Sequence, residues 1–141
     1  MELLATLQSV EHKPIELILL RQLASRLPLA VTLVDAQGSV VYINPANERL
    51  LGLTQAAVAE FPYDRLHELI EYRHADGSPM KFEDRPLAVA LHDRRPQQTT
   101  IVLHGADGVP HRVEVTAFPL DSQGGAPVGA MSIFWEADVD S

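Results

Sequence analysis

Six histidines, nineteen carboxylates and no cysteine set the chemistry open to this 141-residue chain. His104 and His111 flank the turn "GADGVP" and are candidate cross-strand neighbours, but a metal site needs a third or fourth ligand and only Asp107 is near. Two exposed hairpin histidines are the expectation there. His67 and His74 are seven residues apart, about two helical turns, too far along a helix axis to share one ion. Asp64, Glu68 and Glu71 fall on the surface of one helical pattern. Paired acid–base work needs an enclosed pair with split pKa values, and a solvated helix face does not supply it. The chain has no G-x-S-x-G elbow, no phosphate-binding G-x-x-x-x-G-K-S/T loop, no G-x-G-x-x-G and no H-E-x-x-H. Gly124 and Gly125 read as a turn. The absence of cysteine excludes disulfides, thiolate zinc sites, iron–sulfur clusters and thiol nucleophiles. The expectation is a protein without catalytic residues or a metal.

Charge narrows the partners. With 11 Lys and Arg against 19 Asp and Glu, the net charge is −8. Nucleic acid and anionic membranes require basic patches, and the densest basic cluster is only Arg94–Arg95. No apolar run approaches the ~18 residues of a membrane span. The N-terminus starts acidic and carries no secretory pattern, so a cytoplasmic location is expected.

The elements that must position any site follow from periodicity. Residues 2–27 read as helix interrupted at Pro14, with Leu3, Leu7 and Val10 on one face before it and Ile15, Ile18, Leu19 and Leu23 recurring after it. Short helices of this kind are marginal alone and must pack on something. Val31–Val34 and Val40–Ile43 are strands joined by the turn "DAQGS". Asn44 is a good N-cap, Pro45 suits the first helical position and Gly52 closes that helix. Thr54 caps a further short helix. "YDRLHELIEY" reads as helix, with Leu66, Leu69 and Ile70 on one face, and "PLAVALHDRR" as another, with Leu87, Ala90 and Leu91 as its stripe. Strands at Thr99–His104, His111–Leu120 and Gly129–Trp135 complete the chain. Strands joined by hairpins imply antiparallel pairing, and helices must cover a sheet face, an α+β arrangement.

The segments "VTLVDAQG", "VVYINPANERLLG", "RHADGSPMKFEDRPLAVAL" and "HGADGVPHRVEVTAFPLDSQGGAPVGAMSIFWEADVD" together resemble a PAS domain, the sensory box of bacterial signalling proteins, over roughly Leu23 to Asp140. The resemblance implies a PAS fold: a five-stranded antiparallel sheet in the order 2-1-5-4-3, short helices on one face, and a pocket between them. On this reading residues 1–27 form an N-terminal amphipathic extension for dimerisation or capping, and residues 28–141 form the domain.

The function implied is a sensory and dimerisation module that binds a small apolar or anionic ligand and relays through its terminal helices. The alternatives are a ligand-free interaction module and a haem-based gas or redox sensor. For haem, His92 at the end of its helix is the position that relatives use for the proximal ligand. It lies one position beyond the apolar stripe, however, and also suits the helix dipole. A flavin–cysteinyl adduct is excluded without cysteine, and no motif points to non-covalent flavin, so no cofactor is the leading expectation.

Ile43, Leu66, Leu69, Ile70, Leu87, Leu91, Val113, Val115, Met131 and Ile133 are the candidates for core or pocket lining. Tyr72, Arg73 and Arg95 are candidates to meet an anionic ligand, with a surface position as the plainer reading. Phe118 and Phe134 are expected on the outer sheet face. Leu3, Leu7, Val10, Ile15, Ile18 and Leu19 are the expected homodimer interface. "EADVD" stands where relatives carry a D-I-T link to an output domain, with Asp140 in place of the threonine. An output domain or a partner signalling protein is therefore expected.

Overall fold

The computed structural model describes residues 14–137. Pro14 precedes helix α1 (Ile15–Ala24), whose one face carries the buried Leu17 and Ala24. Strands β1 (Ala30–Asp35) and β2 (Val40–Ile43) follow as a hairpin. Asp35 Oδ1 accepts from the N–H groups of Gln37 and Ser39, each at 3.0 Å, and Gly38 takes the positive φ the turn requires. The register shifts between Leu33 and Val34. As a result Val40 and Ile43 join the inner core, whereas Val41 and Tyr42 both belong to the outer cluster.

Helix α2 (Pro45–Leu51) starts on Asn44 and ends on Gly52 at φ 72°. Helix α3 (Gln55–Val58) is capped by Thr54. A 3₁₀ helix, Tyr63–Glu68, leads into strand β3 (Glu71–His74). A second 3₁₀ turn, Phe82–Asp84, precedes helix α4 (Pro86–His92). Strands β4 (Gln97–His104), β5 (Pro110–Asp121) and β6 (Pro127–Glu136) complete the sheet.

The sheet is fully antiparallel in the order β2-β1-β6-β5-β4-β3. The five strands expected from the sequence keep the expected order, and β3 adds a sixth at the edge. The pattern "YDRLHELIEY" therefore does not continue as helix. Residues 71–74 instead pair with β4, Tyr72 opposite Leu103, because the sheet edge supplies backbone hydrogen bonds that a short isolated helix would have to supply alone.

Both sheet faces are covered. Helix α4, buried from Pro86 to Leu91, and the shorter helices pack on the inner face, where Val113, Val115, Ala117, Ala130 and Phe134 point. Helix α1 packs on the outer face against Val31, Leu33, Val41, Tyr42 and Met131, with Phe118, Leu120 and Ile133 partly buried beside it. Arg21 of α1 lies 5.0 Å from the Tyr42 ring centre. Phe134 was expected on the outer face. It points inward, opposite Val115, so the face of β6 that looks into the core is the Ala130, Ser132 and Phe134 set.

One side chain ties these layers together. Asn44 is wholly buried. Its Oδ1 accepts from Val31 N–H at 2.9 Å and from Asn47 N–H at 3.0 Å. Its Nδ2 donates to Ala24 O at 2.9 Å and Leu29 O at 2.8 Å. The N-cap of α2 thus also holds the last turn of α1 and the start of β1. At the opposite contact, β6 passes so close to β1 that a Cβ on Gly129 would lie 2.0 Å from Val34 O.

Candidate functional site

Between the inner sheet face and the helices lies an apolar cavity of about 30 Å³. One water needs roughly 10–15 Å³ of such space, so the cavity admits a few waters. Ile43, Leu66, Ile70, Leu87 and Val115 line it, joined by Val58, Leu103 and Phe134. Leu91 is buried in the same core without lining the cavity. Ile133, expected at the pocket, lies on the other face of β6 in the cluster beneath α1, for the register reason given for Phe134. Met131 shares that outer position.

A polar corner interrupts the apolar lining, made by Thr32, Asn47 and Ser132. Asn47 Nδ2 donates to Val31 O at 3.0 Å and Thr32 Oγ1 at 2.9 Å, while its Oδ1 is buried without a hydrogen-bond partner. Buried polar atoms normally have one, and this acceptor is unsatisfied on a residue that lines the cavity.

Tyr63 and Tyr72 also line the cavity, their rings edge-to-face at 6.3 Å. Burial raises both phenol pKa values, that of Tyr63 strongly, with the Tyr72 hydroxyl adding to it and the Arg85 charge opposing. Both phenols therefore stay protonated at neutral pH.

Arg85 sits behind these rings and is only 3% exposed. Pro86 holds it in the extended region at ψ 135°, just before α4. Its guanidinium carbon is 4.0 Å from the Tyr72 ring centre, 5.1 Å from Phe82 and 5.5 Å from Tyr63. Nη1 donates to Tyr63 O at 3.3 Å, and Nε is buried with no partner. Among the described residues no carboxylate forms an ion pair with it. Removing a cation from water costs several kcal/mol, and desolvated cation–π contacts return only roughly 2 kcal/mol each. A surface cleft of about 460 Å³ is lined by Arg85 together with Asp64, His67, Glu71, Tyr72, Met80 and Phe82.

The other candidates are dispersed. Arg73 pairs with Glu71 and donates to Gly77 O at 2.7 Å, and Arg95 is an exposed neighbour of Asp93. His92 is exposed at the end of α4 with its ring 5.9 Å from that of Phe82, outside the cavity lining. As it stands the cavity is far smaller than a porphyrin or an isoalloxazine, and His92 is not among its lining residues. His104 pairs with Pro110 and His111 with Leu103 across the β4–β5 hairpin, so the two histidines alternate onto opposite faces. His111 Nδ1 lies 2.9 Å from Glu136. Among the described residues no group of three or more His, Asp or Glu side chains is placed to hold a metal ion. Glu68 is engaged by Arg65 at 2.8 Å on the surface.

Ile15, Ile18, Leu19 and Leu23 are 65, 42, 57 and 57% exposed along α1. Leu3, Leu7 and Val10 lie outside the described residues. Arg85 escaped the sequence reading because Glu83 and Asp84 beside it make the segment look like a solvated charged loop. The one available signal was its position directly before a helix-initiating proline.

An antiparallel sheet cupped over short helices, with a cavity between them, is the architecture of a PAS domain. The family model described as the PAS fold matches residues 24–137, and the chain belongs to that family. Among solved structures it is similar to a PAS domain from Colwellia psychrerythraea, with a TM-score of 0.61, 19% identity, and 85% of this chain and 97% of that one covered. It is also similar to the PAS domain of nitrogen regulation protein NR(II) from Vibrio parahaemolyticus, with a TM-score of 0.60, 19% identity, and 84% and 98% covered. The PAS domain of BvgS from Bordetella pertussis gives 0.60, 17% identity, and 86% and 85% covered. Among curated proteins no sequence match is found. Among the described residues no helix is long and apolar enough to cross a membrane.

Proposed function

We propose that this chain is the sensory and dimerisation module of a bacterial signalling protein, acting by binding and without catalysis. A small ligand shifts the packing between the inner sheet face and the helices, and α1 carries the shift to a second copy or an output domain. The observation that supports this reading is the hydrogen-bond path from cavity to terminal helix. Asn47, at the cavity, is bonded to Val31 O; Val31 N–H is bonded to Asn44; and Asn44 holds Ala24 O at the end of α1. The exposed aliphatic stripe of α1 supplies the surface that a second copy would cover.

Light scattering coupled to size exclusion tests the dimer. The expected result is twice the chain mass at tens of micromolar, reduced to one chain mass by Ile18→Glu with Leu19→Glu. A monomeric parent protein ends the dimer proposal. Hydrogen exchange tests the relay, which requires a ligand with different affinities for two states. Slowed exchange in α1 on ligand binding is expected, and unchanged exchange there refutes it.

A second reading, an interaction module whose core is filled by its own side chains, is favoured by the small size of the cavity. Native mass spectrometry separates the two, since a retained small mass on the purified chain is incompatible with the filled-core reading. A Soret band in the visible spectrum of the same sample would revive the haem reading through His92.

A further inference from the structure

We infer that the cleft in front of Arg85 is a recognition site for a small monoanionic carboxylate with an apolar body. The inference rests on the sensory reading above and names the ligand class. A guanidinium offers five N–H donors. In this structure one of them, on Nη1, reaches Tyr63 O, and the Nε donor is buried with no partner. The edge formed by Nε and Nη2 is the one that receives a carboxylate side-on through two parallel hydrogen bonds; Nε is sealed from solvent in this structure, so a small shift of the surrounding rings accompanies binding, and the Tyr63 phenol beside Arg85 is the group a carboxylate displaces. The guanidinium carbon lies over the Tyr72 ring, 4.0 Å from its centre, so the group is held in place before any ligand arrives.

The walls of the cleft decide the rest of the ligand. Tyr72, Pro79, Met80 and Phe82 offer an apolar surface for a flat or aliphatic body. The rim carries Asp64, His67 and Glu71, and Glu71 is already paired with Arg73. One buried cation behind a partly acidic rim suits a single negative charge. It does not suit a phosphate dianion, which needs more donors and would meet more repulsion. Tyr72 also lines the inner cavity, so a ligand pressing on that ring touches the packing invoked in the proposed relay.

The test is an NMR titration of the full chain followed at the arginine Nε–Hε cross-peaks. The probes are benzoate and hexanoate, their neutral counterparts benzamide and hexanol, and inorganic phosphate. The expected result is a saturable shift of the Arg85 cross-peak with the carboxylates, at least tenfold tighter than with the neutral counterparts or phosphate. Arg85→Lys, which keeps the charge and loses the side-on edge, should weaken carboxylate binding at least tenfold with an unchanged far-ultraviolet circular dichroism spectrum. If that variant does not fold, the comparison of charged and neutral probes on the parent protein still decides. No shift at Arg85 up to 10 mM carboxylate, or shifts confined to exposed arginines such as Arg65 and Arg95, overturns the inference. Equal binding of neutral and charged probes, or preference for phosphate, overturns the carboxylate assignment while the sensory reading stands. The sensory reading itself fails separately, if bound probes leave exchange in α1 unchanged.

Discussion

Replacing Asn44 by alanine removes four short hydrogen bonds at one buried point, those from Val31 N–H and Asn47 N–H and those to Ala24 O and Leu29 O, together with a long one to Leu27 O at 3.5 Å. Each lost bond leaves a buried backbone group facing the space vacated by the amide. At roughly 1 kcal/mol for each bond, the summed cost is about 4 kcal/mol. The N-cap alone accounts for about 1 kcal/mol of this. Asn44→Ser separates the two parts, since its hydroxyl can still accept from Asn47 N–H while the ties to α1 and β1 are gone. The serine variant should therefore recover about 1 kcal/mol relative to alanine. Urea unfolding followed by far-ultraviolet circular dichroism measures both, with a midpoint shift at unchanged slope as the expected form. In a thermal scan a loss of this size lowers Tm by about 10 °C or more for a chain of this length. An alanine variant within about 1 kcal/mol of the parent, with the slope unchanged, would refute the reasoning, because a buried group holding three elements cannot be that cheap to remove.

Gly129→Ala should destabilise by several kcal/mol, about 3 or more, because the new methyl would meet Val34 O across the β1–β6 pair; a urea midpoint equal to the parent's would show that the strands separate freely there. Leu87→Ala removes a buried wall of the cavity and should cost roughly 2–5 kcal/mol by the same assay, with a smaller loss indicating that α4 collapses inward to fill the space. The Asp76 carboxyl is held below its ordinary pKa chiefly by the Ser78 hydroxyl at 2.6 Å, with the Ser78 N–H second. Because the folded pKa is depressed, its contribution to stability is present above the unfolded pKa and fades as pH falls through the folded one. Carboxyl NMR titration should find the Asp76 midpoint low in the parent and raised in Ser78→Ala; an unchanged midpoint would remove the hydroxyl as the cause.

Much of this architecture can be read from local chemistry. Asp35, Gly38, Asn44, Pro45, Gly52 and Thr54 announce their turns and caps because each role depends on the residue's own backbone preferences. The alternation along β5 and β6 is equally plain. It does not say which alternate set faces the helices, since both faces of the sheet are covered and both sets are apolar. Ile133 and Phe134 therefore lie on the faces opposite to those expected from the alternation. Strand β3 was hidden because Leu66, Leu69 and Ile70 recur at helical spacing, and only pairing with β4, 30 residues away, overrides that pattern. The Arg85 site is less legible still. Its character comes from three rings on separate segments that converge around it, a property of the assembled structure which no spacing encodes.

The size of the inner cavity carries a consequence for timing. A molecule larger than a few waters does not fit 30 Å³ without movement of the helices or side chains around it, and where that opening precedes binding the molecule waits for an open conformer. Under that regime the observed rate of filling levels off as the small molecule becomes plentiful, at the frequency with which the helices open. The speed of response to an internal ligand would then be set by the stiffness of the contacts around Val58, Leu66 and Leu87, and substitutions that loosen them would accelerate the response even where they add no contact to the ligand.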